Sequence, residues 1–216
     1  MPLSKALRLA SVGFATVCLA LAVAGLAQEQ QAADKKVAEK KPEPAGGAAP
    51  DAAFAEFMKM NQPGEHHAHM KQLAGNWDCD VEMRMSPEQP WQKSKGKTRS
   101  ETVLDGRYLH GEFTGDMMGM PFKGMSLMGY DNIKQKYFTA WVDSMSTGIM
   151  VFDGKCEDGK VFTFTADYDD PMTKRKSKIR QVTTVVAPDK HVFEWYETPE
   201  GGKEFKSMVI TYTRAK

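Results

Sequence analysis

From Gly75 onward the hydrophobic pattern of this chain switches to a period of two, and that alternation limits what it can fold into. Between Asn76 and Met85, the side chains Trp77, Cys79, Val81, Met83 and Met85 alternate with Asp78, Asp80, Glu82 and Arg84. This is the pattern of a strand with one buried and one wet face. Similar segments follow at Gln92–Leu104, Arg107–Thr114, Phe122–Asp131, Lys136–Asp143, Gly148–Asp153, Lys160–Tyr168, Lys176–Ala187, His191–Thr198 and Lys203–Arg214. Turn-forming residues separate them, such as Asp105-Gly106, Asn132 to Gln135, Ser144 to Thr147, Glu157-Asp158-Gly159, Asp169-Asp170-Pro171, Pro188-Asp189 and Glu200-Gly201-Gly202. Gly115 to Pro121 reads as a longer, flexible loop. About ten short strands joined by hairpins form a meander, and a meander of that length exposes two edges unless it closes on itself. The expected fold is therefore all-β, a single antiparallel up-and-down barrel of about ten strands, with an open sandwich as the alternative.

Two short helical runs precede the strands. Asp51 starts one over Ala52 to Met60, Pro63-Gly64 breaks it, and Glu65 to Leu73 is a second, stopped at Gly75. On the second run His66, Met70 and Leu73 share a face, which suits a plug over one barrel end.

Residues 1–27 read as a secretory signal. Lys5 and Arg8 supply the positive start, Leu9 to Leu26 is free of charge, and cleavage after Ala24 or after Ala27 both fit. An uncleaved anchor is the alternative, since about 18 apolar residues is the lower edge of what spans a bilayer. Residues 28–51, rich in Ala, Lys, Glu and Pro, have no apolar periodicity and read as a solvated tether. That leaves 52–216 as one barrel domain, exported to the periplasm or the medium, with no stable membrane insertion once the signal is removed. The chain is formally +1, and loss of Lys5 and Arg8 makes it −1. Such a balance gives no reason to expect nucleic acid as a partner. Cys79 lies on the first strand and Cys156 after the sixth, roughly opposite in a ten-stranded meander and too far apart for a bridge, so two free thiols are expected.

Gly75-Asn76-Trp77 opening the first strand resembles the G-x-W motif of the calycin (lipocalin and fatty-acid-binding) superfamily, and Arg214 ends the last strand. The resemblance implies that Arg214 lies over Trp77 and closes the barrel, a favourable guanidinium–indole pair. A closer resemblance runs through Pro63-Gly64-Glu65-His66-His67, Leu73 to Trp77, Gly119 to Gly124, Gly129 to Asn132, Trp141 to Gly148, Glu194-Trp195-Tyr196 and Ile210 to Arg214. On these segments the chain is similar to a bacterial family of unknown function, DUF1579. That likeness brings a barrel with it and no activity.

Candidate pocket or mouth residues are His66, Arg107, Met120, Phe122, Tyr130, Trp141, Asp143, Arg180, Glu194 and Tyr196. Tyr130 and Trp141-Val142-Asp143 put polar groups beside aromatic ones at strand ends, either to orient a ligand or simply to build turns. Arg107, Arg180, Glu194 and Tyr196 lie in segments whose two faces are both partly apolar, so they read either as a polar cavity floor or as outer-wall residues. His66, His67 and His69 invite a metal or haem reading; a plug histidine bonded to the rim is the simpler one. Met117, Met118, Met120, Met125 and Met128 invite a copper(I) reading, and a soft apolar lid is simpler. No cofactor is expected. No nucleophilic triad or paired-carboxylate spacing is present. The leading function is binding of a small apolar or amphipathic molecule inside the barrel. A calycin-type isomerase or hydrolase and a ligandless envelope protein are the alternatives.

Overall fold

The computed structural model describes residues 51–170 and 174–216. The signal and all of the tether but Asp51 lie outside the described residues, as does Pro171. Helix α1 spans Ala52–Met60 and α2 spans Glu65–Lys71. Ten strands follow: β1 Gly75–Met83, β2 Gln92–Val103, β3 Tyr108–Met117, β4 Met120–Asp131, β5 Lys136–Asp143, β6 Met150–Cys156, β7 Val161–Asp169, β8 Lys176–Ala187, β9 Lys190–Pro199 and β10 Phe205–Arg214. Each strand pairs antiparallel with the next, and β1 pairs with β10, so the sheet is a closed up-and-down barrel. No helix among the described residues is long and apolar enough to cross a membrane.

Closure is local chemistry at the start of β1. Trp77 stands opposite Arg214 in the β1–β10 register, and the guanidinium carbon lies 4.2 Å from the indole ring. Arg214 also donates to the carbonyls of Ala74 and Pro188, and Trp77 Nε1 donates to the Leu73 carbonyl. Gly75 has φ +138°, and a Cβ there would overlap the Arg214 guanidinium. The G-x-W glycine thus leaves space for the arginine.

Several element ends shift by one to three residues, as at β6, which runs Met150–Cys156 rather than Gly148–Asp153, and two segments differ in ways that bear on the site. Strand β1 ends at Met83 rather than Met85, because Arg84 turns aside: its Nε donates to the Lys206 carbonyl and its guanidinium stacks on Trp91. Gly115 to Pro121 is no loop. Strands β3 and β4 stay paired through Met117 and Met120, and the turn is the two residues Met118 and Gly119, with φ 55° and 81°. That pair of positive angles is a tight type I′ hairpin, so the expected Met/Gly lid is a sheet extension.

Candidate functional site

Register decides which side chains face the barrel interior. The large aromatic ones among them differ in burial from one half to the other, although Phe122 is buried in the half away from α2 and Tyr130 is half-buried beside that helix. Near α2, inward Trp77, Leu109, Tyr137, Phe152, Phe162 and Phe164 are all buried, Phe162 completely. Toward the other end Phe113, Trp141, Tyr168, Phe193, Trp195 and Met208 occupy equivalent inward positions yet are only half-buried. An inward side chain meets water only through the lumen. Eight strands give a bore that side chains just fill, and ten give a wider one. Among the described residues, the half of the barrel away from α2 is therefore the less tightly packed one, referred to below as the cup.

Aromatic rings line the cup. Phe113 lies 5.9 Å from Phe122, and Phe122 stacks 6.4 Å from Trp141. On β9, Phe193 and Trp195 are 6.4 Å apart, and Trp195 meets Phe152 at 5.7 Å. The Trp141 ring covers Gly124, where a Cβ would collide with it. Polar groups sit nearer the mouth. Trp141 Nε1 donates to Asp143 Oδ2 at 3.0 Å, and Asp143 Oδ1 caps the following turn by accepting from the amides of Met145 and Ser146. Ser207 Oγ donates to Glu197 Oε1 at 2.7 Å. The Tyr168 phenol is pushed above its ordinary range by burial, then by the negative fields of Asp170, Glu197 and Asp143.

The other half is sealed. Helix α2 drops Met70 onto Phe162 and its neighbours, with Leu73 just beyond the helix. His67 is buried, accepts from the Gly64 amide at Nδ1, and is held below the ordinary imidazole range by burial. Tyr137 donates its hydroxyl proton to the His66 carbonyl and has Nδ1 of His66 and of His69 at 3.1 and 3.3 Å. Burial raises that phenol well above its usual range. His191, 6 % exposed, stacks 4.2 Å from Tyr212 and meets Trp77 edge-on. Its Nδ1 has no partner, and burial followed by the charge of Arg214 lowers its pKa to about 4. Cys79 and Cys156 are both free and buried, and burial pushes the Cys79 thiol up to about 11. Among the described residues, no group of three or more His, Cys, Asp or Glu side chains is placed to hold a metal ion.

The sequence-derived candidates scatter across these regions. Phe122, Trp141 and Asp143 share the cup. His66 and Tyr130 stack on each other 4.0 Å apart in the plug. Arg107 sits in the turn before β3, bonded to the Leu104 carbonyl and facing Asp105. Met120 is exposed beside the hairpin turn. Arg180, Glu194 and Tyr196 need correcting as cavity-floor residues, because they stand on the outer wall. Arg180 and Lys206 flank the Tyr196 ring, Arg180 pairs with Glu204, and Lys206 pairs with Glu194. The methionines do not converge either. Met118, Met120 and Met125 are exposed, while Met128 packs inward. Sequence reasoning missed Tyr168, His191, Phe193, Trp195 and Glu197, although the His191-Phe193-Trp195-Glu197 alternation was there to be read.

Two grooves score the outer wall. One of about 400 Å³ runs beside Asp78, Lys97, Arg99 and Glu112, and one of about 640 Å³ runs beside Asp153, Asp167, Lys178 and Arg180. Both are lined mainly by outward-facing residues, about half of them charged, so neither is the cup.

A family model described as "Protein of unknown function (DUF1579)" matches residues 62–214. No curated protein matches the chain. Among solved structures, a redesigned β-barrel is 16% identical, with 68% of this chain and 96% of that chain covered and a TM-score of 0.36. A protein of unknown function from the DUF3598 family of Nostoc punctiforme is 6% identical, with 71% and 100% covered and a TM-score of 0.21. Those scores are too low to bear on the fold, which rests on the strand pairing.

Proposed function

This chain belongs to the DUF1579 family of proteins of unknown function, and from that premise and the half-open barrel we propose that it is an exported carrier of a small apolar or amphipathic molecule. The observation that carries the reading is the set of inward aromatic side chains left half-buried away from α2. A protein folding for stability alone gains by filling such positions, since each buried aromatic side chain contributes roughly 1.5–3 kcal/mol. Leaving rings wet inside a closed sheet suits a surface that a ligand covers. The sealed half then serves as the floor, and the mouth is the route of entry. Export rests on the charge and hydropathy pattern of residues 1–27.

Native mass spectrometry of protein taken from its own cell envelope tests the carrier role. A bound mass of small-molecule size is expected, released by organic solvent. Titration with the neutral dye Nile red should give a saturable blue shift at one site, weakened in Trp195→Ala. A clean apoprotein with no saturable dye site overturns the reading. N-terminal sequencing of the same sample should start at Gly25 or Gln28, and a start at Met1 removes the signal.

A further inference from the structure

The charges on the two sides of the barrel wall are balanced differently. On the outside, most strand carboxylates are matched, Asp80 with Lys95, Glu82 with Lys93, Asp153 with Lys136, Glu194 with Lys206, and Glu204 with Arg180, while Glu112, Asp116 and Asp167 are exposed to water. On the inside, among the described residues, strand positions facing the cup carry Asp143 and Glu197 and no Lys or Arg. Both carboxylates are half-buried, and among the described residues neither is in an ion pair. Their side-chain partners are the neutral donors Trp141 Nε1 and Ser207 Oγ. Arg84, near the end of β1, is already held by Trp91 and two backbone carbonyls.

A carboxylate drawn partly out of water is unfavourable without an opposite charge. The wall supplies one to most outward carboxylates, leaves the others exposed to water, and omits it for the two half-buried ones in the cup. The neighbouring groups are indole, phenol and phenyl rings, whose faces attract cations and more strongly so once desolvated. A hard divalent ion prefers oxygen ligands throughout and gains little from such rings. We propose that the cup takes a cationic amphiphile: an apolar chain or ring system held against Phe113, Phe193 and Trp195, with an ammonium-type head between Asp143, Glu197 and Trp141. This rests on the carrier reading and adds the charge of the cargo to it.

The test uses the full chain and three probes with the same alkyl chain, each below its micelle concentration: decyltrimethylammonium, decanol and decanoate. Binding is read by tryptophan fluorescence and calorimetry. The cation should bind at least about tenfold more tightly than the alcohol, which corresponds to about 1.4 kcal/mol, and decanoate should bind weakest. Added salt should weaken the cation and leave the alcohol unaffected. Asp143→Asn with Glu197→Gln keeps an acceptor for Trp141 and Ser207 and should bring cation and alcohol within about twofold of each other, at an unchanged denaturation midpoint. Decanol or decanoate binding as tightly as the cation overturns the charge assignment and leaves the carrier standing. No binding by any probe, together with no Nile red site, removes both. A salt-insensitive cation preference also overturns the assignment, without needing the variants.

Discussion

The two halves of the barrel are built from the same strands and face the same axis, yet they use their aromatic residues differently. In the half under α2, Phe162 and Phe164 are fully packed against Tyr137, Phe152 and Met70. In the other half Phe193, Trp195 and Trp141 keep part of their surface wet. One alternating pattern therefore yields a packed core at one end and a lined hollow at the other. What separates them is the partner available along the axis: a helix packs over one end, and among the described residues no helix packs over the other. The lesson is that inward-facing and buried are separate properties, and a ligand surface lies where they part.

The sharpest way to break this comparison is a pair of truncations. Phe162→Ala should cost about 3–5 kcal/mol, as expected of a large ring removed from a packed site. Phe193→Ala in the cup should cost about 1–2 kcal/mol, because less of its surface leaves water on folding. Urea denaturation of both variants checks the difference, and equal losses would mean that the open half is packed like the sealed one.

Acid should act on the sealed half next. His67 and His191 both have pKa values depressed in the folded state, so the unfolded chain takes up protons first as pH falls. Stability from this source is complete above about pH 6.5 and is lost as pH falls toward about 4. For His191 that is roughly 2–3 kcal/mol over the window. His191→Phe should flatten this part of the pH profile and, by removing an unpartnered nitrogen, leave neutral-pH stability equal or higher. Thermal melts across the pH range read both effects.

At the closure, Arg214→Ala should lower stability by about 1–3 kcal/mol through loss of the indole contact and the bonds to Ala74 and Pro188. Arg214→Lys should recover less than half of that, since an ammonium lacks the planar fork that reaches several acceptors at once. The smallest effect belongs to the outer wall. Arg180→Ala should cost at most about 1 kcal/mol and leave Nile red affinity in the cup unchanged, which would confirm by calorimetry and dye titration that this ladder lies outside the site.

Much of the scaffold was legible because alternation is a direct readout of a sheet with one wet face. Strands β5 and β8 fall at the positions their sequence implies, and the Trp77–Arg214 contact follows from the motif at one end and the arginine at the other. The site was less legible for a physical reason. Parity is clear where one face is charged, as in β1, and ambiguous where both faces carry aromatic groups, as in β9. There Tyr196 shelters beneath Arg180 and Lys206 on the outside while Trp195 points in, so neighbouring aromatics have opposite destinations. The bulge at Ser207, between Lys206 and Met208, adds a shift that no periodicity records. Helix α2 posed a related difficulty. The spacing of His66, Met70 and Leu73 chose one face, while the buried histidine is His67, drawn in by the Gly64 amide it caps.

The pairing of β1 with β10 also governs when this molecule can come into being. The first strand must wait for the final ten residues before it has both neighbours, so its contact order is high and folding on the millisecond-to-second scale is expected. An emerging chain has nothing to zip against at its leading edge. If the chain is exported as proposed, threaded through a secretion channel in extended form, that delay is an advantage: the barrel stays open until β10 has crossed.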